Sequence, residues 1–265
     1  MQLNYDGSFK LRTYDVCMTD FKRSLCSAGF ASATVGTMLV LIIASLQPLL
    51  AALNSGPLPY GFHTRQVLSA LRSEWMTMAL PALSALPYTA AYVDDIKSGV
   101  IKQLLVRADR RGYIAGKILA CAASGALALV TGVLLAWGIG AWALPPMELA
   151  ADPGAMAEPL FAQILMQTAL LGCSGALWAL VGLALSAATL SKYIAYAAPF
   201  ILYYVLIILH ERYFEDFLVL YPKEWMNPSL NWPLGAWGIV ALLAVLSAAF
   251  ALVFALAAHR RLFHG

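Results

Sequence analysis

The run Gly112-Tyr-Ile-Ala-Gly116-Lys117 comes close to a phosphate-binding loop. Such a loop needs GxxxxGK followed by Ser or Thr, so that backbone amides cradle phosphate and the hydroxyl meets magnesium. Here the run is one residue short and Ile118 follows it. It is no nucleotide site, and two glycines four apart read instead as a close-packing surface. The run Gly172-Cys-Ser-Gly175 offers Ser174 as a nucleophile, which needs a base within hydrogen-bond reach. The histidines are His63, His210, His259 and His264. Cys17, Cys26, Cys121 and Cys173 lack metal-ligand spacing and none falls in an expected outer loop, so no disulfide framework is expected.

These groups are carried by a chain of 265 residues that is 61% hydrophobic and only 12% charged, with mean hydropathy +0.74. Such values lie outside the soluble globular range and predict an all-α polytopic membrane protein. Residues 1–24 are too polar for a signal peptide, so the first apolar run is expected to stay as a span. Within 11–25, Leu11, Tyr14, Met18, Phe21 and Leu25 make one helical stripe. Arg12, Lys22 and Arg23 lie within reach of lipid phosphates, which predicts an amphipathic helix along the membrane surface. Since about 20 apolar residues cross the hydrocarbon, six spans are predicted over 28–53, 75–93, 118–142, 160–190, 193–209 and 234–258. They form a single transmembrane domain covering 1–265. Pro81 and Pro87 are expected to kink the second span, and Pro199 lies in the fifth. Phe62–Glu74 reads as a short surface helix with Val67, Leu68 and Leu71 on its buried side.

Six spans place both termini on one face. Thirteen of the seventeen lysines and arginines fall on that face, and Arg65, Arg72, Arg212 and Lys223 fall opposite. The excess of positive charge predicts that face to be cytoplasmic. Trp75, Trp142, Tyr213, Tyr221, Trp225 and Trp232 then lie near the outer boundary as interfacial aromatics. Ser174 locally resembles the GxSG serine of rhomboid intramembrane proteases, whose histidine is on the sixth span. At about 1.5 Å per residue, Ser174 and His259 differ in depth by about 16 Å and should not meet. Packing beside Gly172 and Gly175 is the favoured reading of Ser174. No acid, lysine or arginine is expected at mid-membrane, which counts against an ion-coupled carrier. A stand-alone six-span carrier or channel remains the alternative, since backbone carbonyls and hydroxyls also bind ions. Gln47, Gln163 and Gln167 near the outer ends of spans one and four either line a pathway or hydrogen-bond neighbouring helices. Tyr203 and Tyr204 on span five are further candidates for lining one.

Between spans two and three lies the most charged part of the chain. It carries Asp94, Asp95 and Asp109 with Lys97, Lys102, Arg107, Arg110, Arg111 and Lys117, and Ile96, Val100, Ile101, Leu104 and Leu105 sit among them. With this loop in place, essentially the full chain resembles the membrane subunits of ABC-2-type ABC transporters. The likeness comprises an amphipathic connecting helix, six spans, a basic loop after span two and a long outer segment between spans five and six. Asp95, Gly99, Leu104-Leu105, Arg110 and Lys117 stand where many of these permeases carry an acid, a glycine, an apolar pair, an arginine and a lysine. The family's usual acid is glutamate and a proline often precedes its arginine, whereas this chain has Asp95 and Ala108-Asp109.

The resemblance implies that the loop is a cytoplasmic coupling helix docked in a groove of a separate ATPase subunit. Its contacts would come from Asp94, Asp95, Ile96, Lys97, Gly99, Val100, Ile101, Leu104, Leu105, Arg107 and Arg110. Apolar anchors would fill the partner's groove and charges would set register; the competing reading is a solvated basic loop drawn to anionic lipid. The resemblance also implies two ATPase subunits holding ATP and magnesium, no cofactor on this chain, and a second permease as homodimer or heterodimer. This chain would be no enzyme by itself and would bind no nucleic acid. Its expected place is a bacterial cell membrane with both termini cytoplasmic. The expected activity is export of an amphiphile (a peptide, a lipid-linked molecule or a drug) along spans one, two and five.

Overall fold

The computed structural model describes residues 2–3, 9–10, 13–53, 58–101, 110–143, 160–228, 232 and 235–264. Apart from a two-residue antiparallel pairing of Gln2–Leu3 with Phe9–Lys10, the described elements are helical. In chain order they are α1 Thr13–Leu25, α2 Ala28–Ala44, α3 Leu46–Leu53, α4 Phe62–Leu71, α5 Glu74–Ala85 and α6 Ala91–Lys97. After the charged loop come α7 Arg110–Ala143, α8 Leu160–Thr189, α9 Lys192–Tyr213, a 3₁₀ turn at Leu218–Leu220, α10 Pro222–Met226 and α11 Ala236–His264.

Among the described residues, four helices are long and apolar enough to cross a membrane: Arg110–Trp142, Leu160–Thr189, Lys192–Tyr213 and Ala236–Arg261. Asp15–Leu25 and Ala28–Ala44 add a fifth if that pair, bent by 49°, is taken as one. The bend falls at Cys26-Ser27, where Ser27 caps α2 by accepting from the amide of Phe30 at 3.0 Å. The other two stretches expected to span are interrupted. Residues 28–53 are split at Ser45, whose hydroxyl turns back onto the carbonyl of Leu41 at 2.7 Å. Residues 75–93 are α5, a turn over 86–90 around Pro87, and the start of α6.

That interruption is held by side chains of other helices. Ser27 Oγ donates to the carbonyl of Pro87 at 3.1 Å, and Ser186 Oγ donates to that of Thr89 at 3.2 Å. Carbonyls released from a helical ladder inside an apolar bundle need such donors.

α8 is the central element. It packs against α4, α5, α6, α7, α9, α10 and α11. From Leu170 onward it is apolar and largely surrounded: Leu170, Leu171, Leu177, Trp178, Val181 and Leu183 are all buried. Gly175 lets α7 approach, since a Cβ there would lie 2.6 Å from Leu129 and 3.0 Å from the carbonyl of Gly125. α8 turns into α9 through Leu190-Ser191 alone, with Leu190 in the left-handed region at φ 52°.

α4 is more deeply set than a surface helix. Val67, Leu68 and Leu71 are buried as expected, and His63, Gln66 and Ala70 are buried with them. The aromatics split into two sets. Trp75, Trp142 and Tyr213 are exposed on the bundle surface, whereas Trp225 and Trp232 fold inward. Trp225 stacks on Trp178 at 6.0 Å, and Trp178 meets Tyr203 edge-on at 5.5 Å.

Candidate functional site

The residues best placed for chemistry are ionic and sit where α1, α6 and α7 meet. Lys117, one turn past Tyr113 on α7, is fully buried. Its Nζ lies 2.6 Å from Asp95 Oδ2, 2.9 Å from Asp20 Oδ1 and 3.0 Å from Tyr88 Oη. Tyr88 donates to the same Asp20 oxygen at 2.8 Å, and Tyr113 donates to Asp95 Oδ2 at 2.9 Å. Arg23 reaches the other Asp95 oxygen at 2.8 Å with its side chain half exposed. Two cations and two anions balance, and two phenols donate to the carboxylates, while Asp20 Oδ2 is buried without a hydrogen-bond partner among the described residues.

The sequence explains why these groups converge. Asp20 and Arg23 are three apart on α1 and therefore share a face. Tyr113 and Lys117 are four apart on α7 and do the same. Gly116 brings α1 and α7 together: a Cβ there would lie 3.3 Å from Asp20 Oδ2 and 3.4 Å from the Cα of Cys17. Cys17 Sγ also donates to the carbonyl of Gly112 at 3.8 Å. The two glycines of the failed phosphate loop are thus the seat of α1. The turn over 86–90 delivers Tyr88, and α6 delivers Asp95 two residues beyond the expected span.

Burial pushes the Asp95 carboxyl up, but Lys117, Arg23 and Tyr113 outweigh it and hold it below the usual carboxylate range. Buried ion pairs of this kind add little net stability, yet removing one member strands a charge. The cluster is therefore a positioning device: α1, α6 and α7 keep one mutual register or the network breaks. Three further contacts tie in their neighbours. Lys192 at the start of α9 pairs with Asp94, Arg261 on α11 donates to the carbonyl of Ala188 at 2.6 Å, and Tyr92 meets Phe254 edge-on at 5.2 Å.

Lys117, Asp95 and Asp20, which lie outside the expected spans, are all buried within the protein. The expected coupling residues also divide. Asp94 is half-buried on Lys192, and Asp95 turns inward and is 1% exposed. Ile96 is half-buried and Ile101 buried, while Lys97, Val100 and Arg110 are exposed. Gly99 turns the chain at φ +74°, a conformation suited to glycine. Leu104, Leu105 and Arg107 lie outside the described residues, as do Leu11 and Arg12 of the amphipathic stripe.

The opposite end of α8 holds the other candidates. Gln167 is buried, and its Nε2 donates to the carbonyl of Met226 at 2.5 Å and to Asn227 Oδ1 at 2.7 Å. Of its two readings the structure favours a hydrogen bond to a neighbouring helix, α10. Gln163 is exposed one turn away, and Gln47 is exposed on α3. Tyr203 is buried against Trp178, with Tyr204 half-buried beside it. Ser174 is buried, and its Oγ has no hydrogen-bond partner among the described residues. The GCSG run serves α7–α8 packing through Gly175.

No protein-family model matches this chain, and neither does any curated protein sequence.

Proposed function

We propose that this chain is the permease subunit of an ABC-2-type transporter, exporting an amphiphile with energy from ATPases on separate chains. The observation that carries the proposal is the seating of the first residues of the charged loop, 94–101. Its first residues are fixed to α1 and α7 through Asp95, while Lys97 and Val100 remain on the surface beside it. A partner closing on that surface pushes a segment that cannot move alone. α1, the turn over 86–90 and the start of α7 move with it, because Arg23, Tyr113 and Lys117 hold the Asp95 carboxylate and Tyr88 is bonded to Lys117 and Asp20. The six spans of this reading are the four long helices plus two interrupted ones, 28–53 and 75–93. The interruption around Pro87 is where such a push changes the tilt of α5 against α9. ATP and magnesium belong to the partner, of which two copies serve two permeases.

Copurification tests the reading. The chain coexpressed with an ATPase encoded beside it retains that ATPase through affinity purification, and Lys97→Glu with Val100→Asp abolishes the retention. If the wild type retains no ATPase, or the double variant retains it fully, the proposal fails.

The buried network favours one second reading. Ion-coupled carriers commonly bury ionisable groups, and Lys117 with Asp20 and Asp95 is such a group. Transport by the lone chain in liposomes, driven by an ion gradient without ATP, would select a stand-alone carrier.

A further inference from the structure

At the end of α8 remote from the ion network lies a recess of about 370 Å³. It is walled by Met166 and Leu170 of α8 and by Pro228 beyond α10. Its polar lining is Arg72, Gln163, Gln167 and Asn227. Arg72 caps the C-terminus of α4, and its carbonyl accepts from Asn227 Nδ2 at 3.4 Å. Gln167 has committed its amide nitrogen to Met226 and Asn227, which leaves its carboxamide oxygen as an acceptor. Gln163 is exposed one turn along the same helix.

From this lining we infer that the recess binds the phosphate headgroup of an anionic amphiphile. Arg72 is the only ionisable residue among the described lining, and it brings a positive charge to the recess. A guanidinium presents a planar fork of donors that fits phosphate oxygens two at a time. The Gln163 amide can donate to a further oxygen, and the Gln167 oxygen can receive a headgroup hydroxyl. Met166, Leu170 and Pro228 provide apolar wall for the first part of a hydrocarbon tail. A free phosphate ion would use the fork and leave that wall idle. The three elements that make the recess are fixed to one another by Gln167 and Asn227, so the site is preformed.

Native mass spectrometry of the detergent-purified chain tests the inference, with phosphatidylglycerol, phosphatidylcholine and inorganic phosphate as separate probes. Phosphatidylglycerol should be retained at least tenfold better than phosphatidylcholine. Arg72→Gln should remove that preference, Arg72→Lys should keep part of it, and Gln163→Ala should weaken retention severalfold. Arg212→Gln removes a positive charge outside the recess and should change nothing. Circular dichroism and gel filtration of each variant identify any loss caused by misfolding, and Gln163→Ala, at an exposed position, provides the second reading of the site. Equal retention of the two lipids overturns the inference, as does full retention of phosphatidylglycerol by Arg72→Gln. Arginine-dependent binding of inorganic phosphate without binding of the lipid also overturns it. No ATPase takes part in the measurement, so its failure leaves the permease proposal standing, and failed copurification leaves the recess standing.

Discussion

The two ends of this bundle are closed by different chemistry. At one end, six side chains from α1, the Pro87 turn, α6 and α7 share charges and protons around Lys117. At the other, α10 folds back on α8 through the Trp225–Trp178 stack and the Gln167 amide. Ionic contacts in a low dielectric are strong and directional, so that end has one allowed register. Stacked rings and amide hydrogen bonds hold the aromatic end without a buried charge, so losing one contact there strands no ion.

The contrast can be broken most severely at Lys117. Lys117→Met leaves two buried carboxylates facing one arginine, and losing one member of a buried pair costs about 3–5 kcal/mol. Thermal unfolding in detergent should show that loss, and adding Asp95→Asn should restore more than half of it. At the aromatic end, Trp225→Ala should cost about 3 kcal/mol, the range for emptying a large aromatic site. Its signature should be local: α10 gains proteolytic sensitivity while Lys117-dependent stability is unchanged. Gln167→Leu strands the carbonyl of Met226 and should cost about 1–2 kcal/mol by the same unfolding measurement.

Acid sharpens the same contrast. The Asp95 carboxyl is held below its ordinary value of 3.8, so its contribution is present above that pH and is lost as pH falls through the lowered value. Melting temperature should therefore drop below about pH 4, and Asp95→Asn should lose that part of the drop. Smallest in stability is Lys97→Glu with Val100→Asp on the exposed side of the loop. It should shift unfolding by no more than about 0.5 kcal/mol while abolishing ATPase retention.

The long apolar helices were legible because hydropathy alone places them: α7, α8, α9 and α11 fall within a few residues of the expected 118–142, 160–190, 193–209 and 234–258, except that α7 starts eight residues early at Arg110. That difference is informative. Lys117 marked the edge of the span when charge was taken to mean water, yet helix and burial both extend past it. A residue's charge says nothing of its partners when these lie 97 positions away, as Asp20 does from Lys117. The i, i+4 pair Tyr113–Lys117 and the i, i+3 pair Asp20–Arg23 were visible in the sequence, but not that they face each other. Likewise the two glycines Gly112 and Gly116 signalled close packing, though not that α1 was the element packed. Gln167 was ambiguous for the same reason, since its acceptor on Met226 lies 59 residues on.

The separation of Asp20 from Lys117 also has a consequence during synthesis. Lys117, the cation that joins both acids, is polymerised only after Asp20, Arg23 and Asp95. α1 therefore cannot complete its ionic seat until the start of α7 reaches it. A chain ending before residue 117 would carry Asp20, Asp95 and Arg23 without the lysine that joins the two acids.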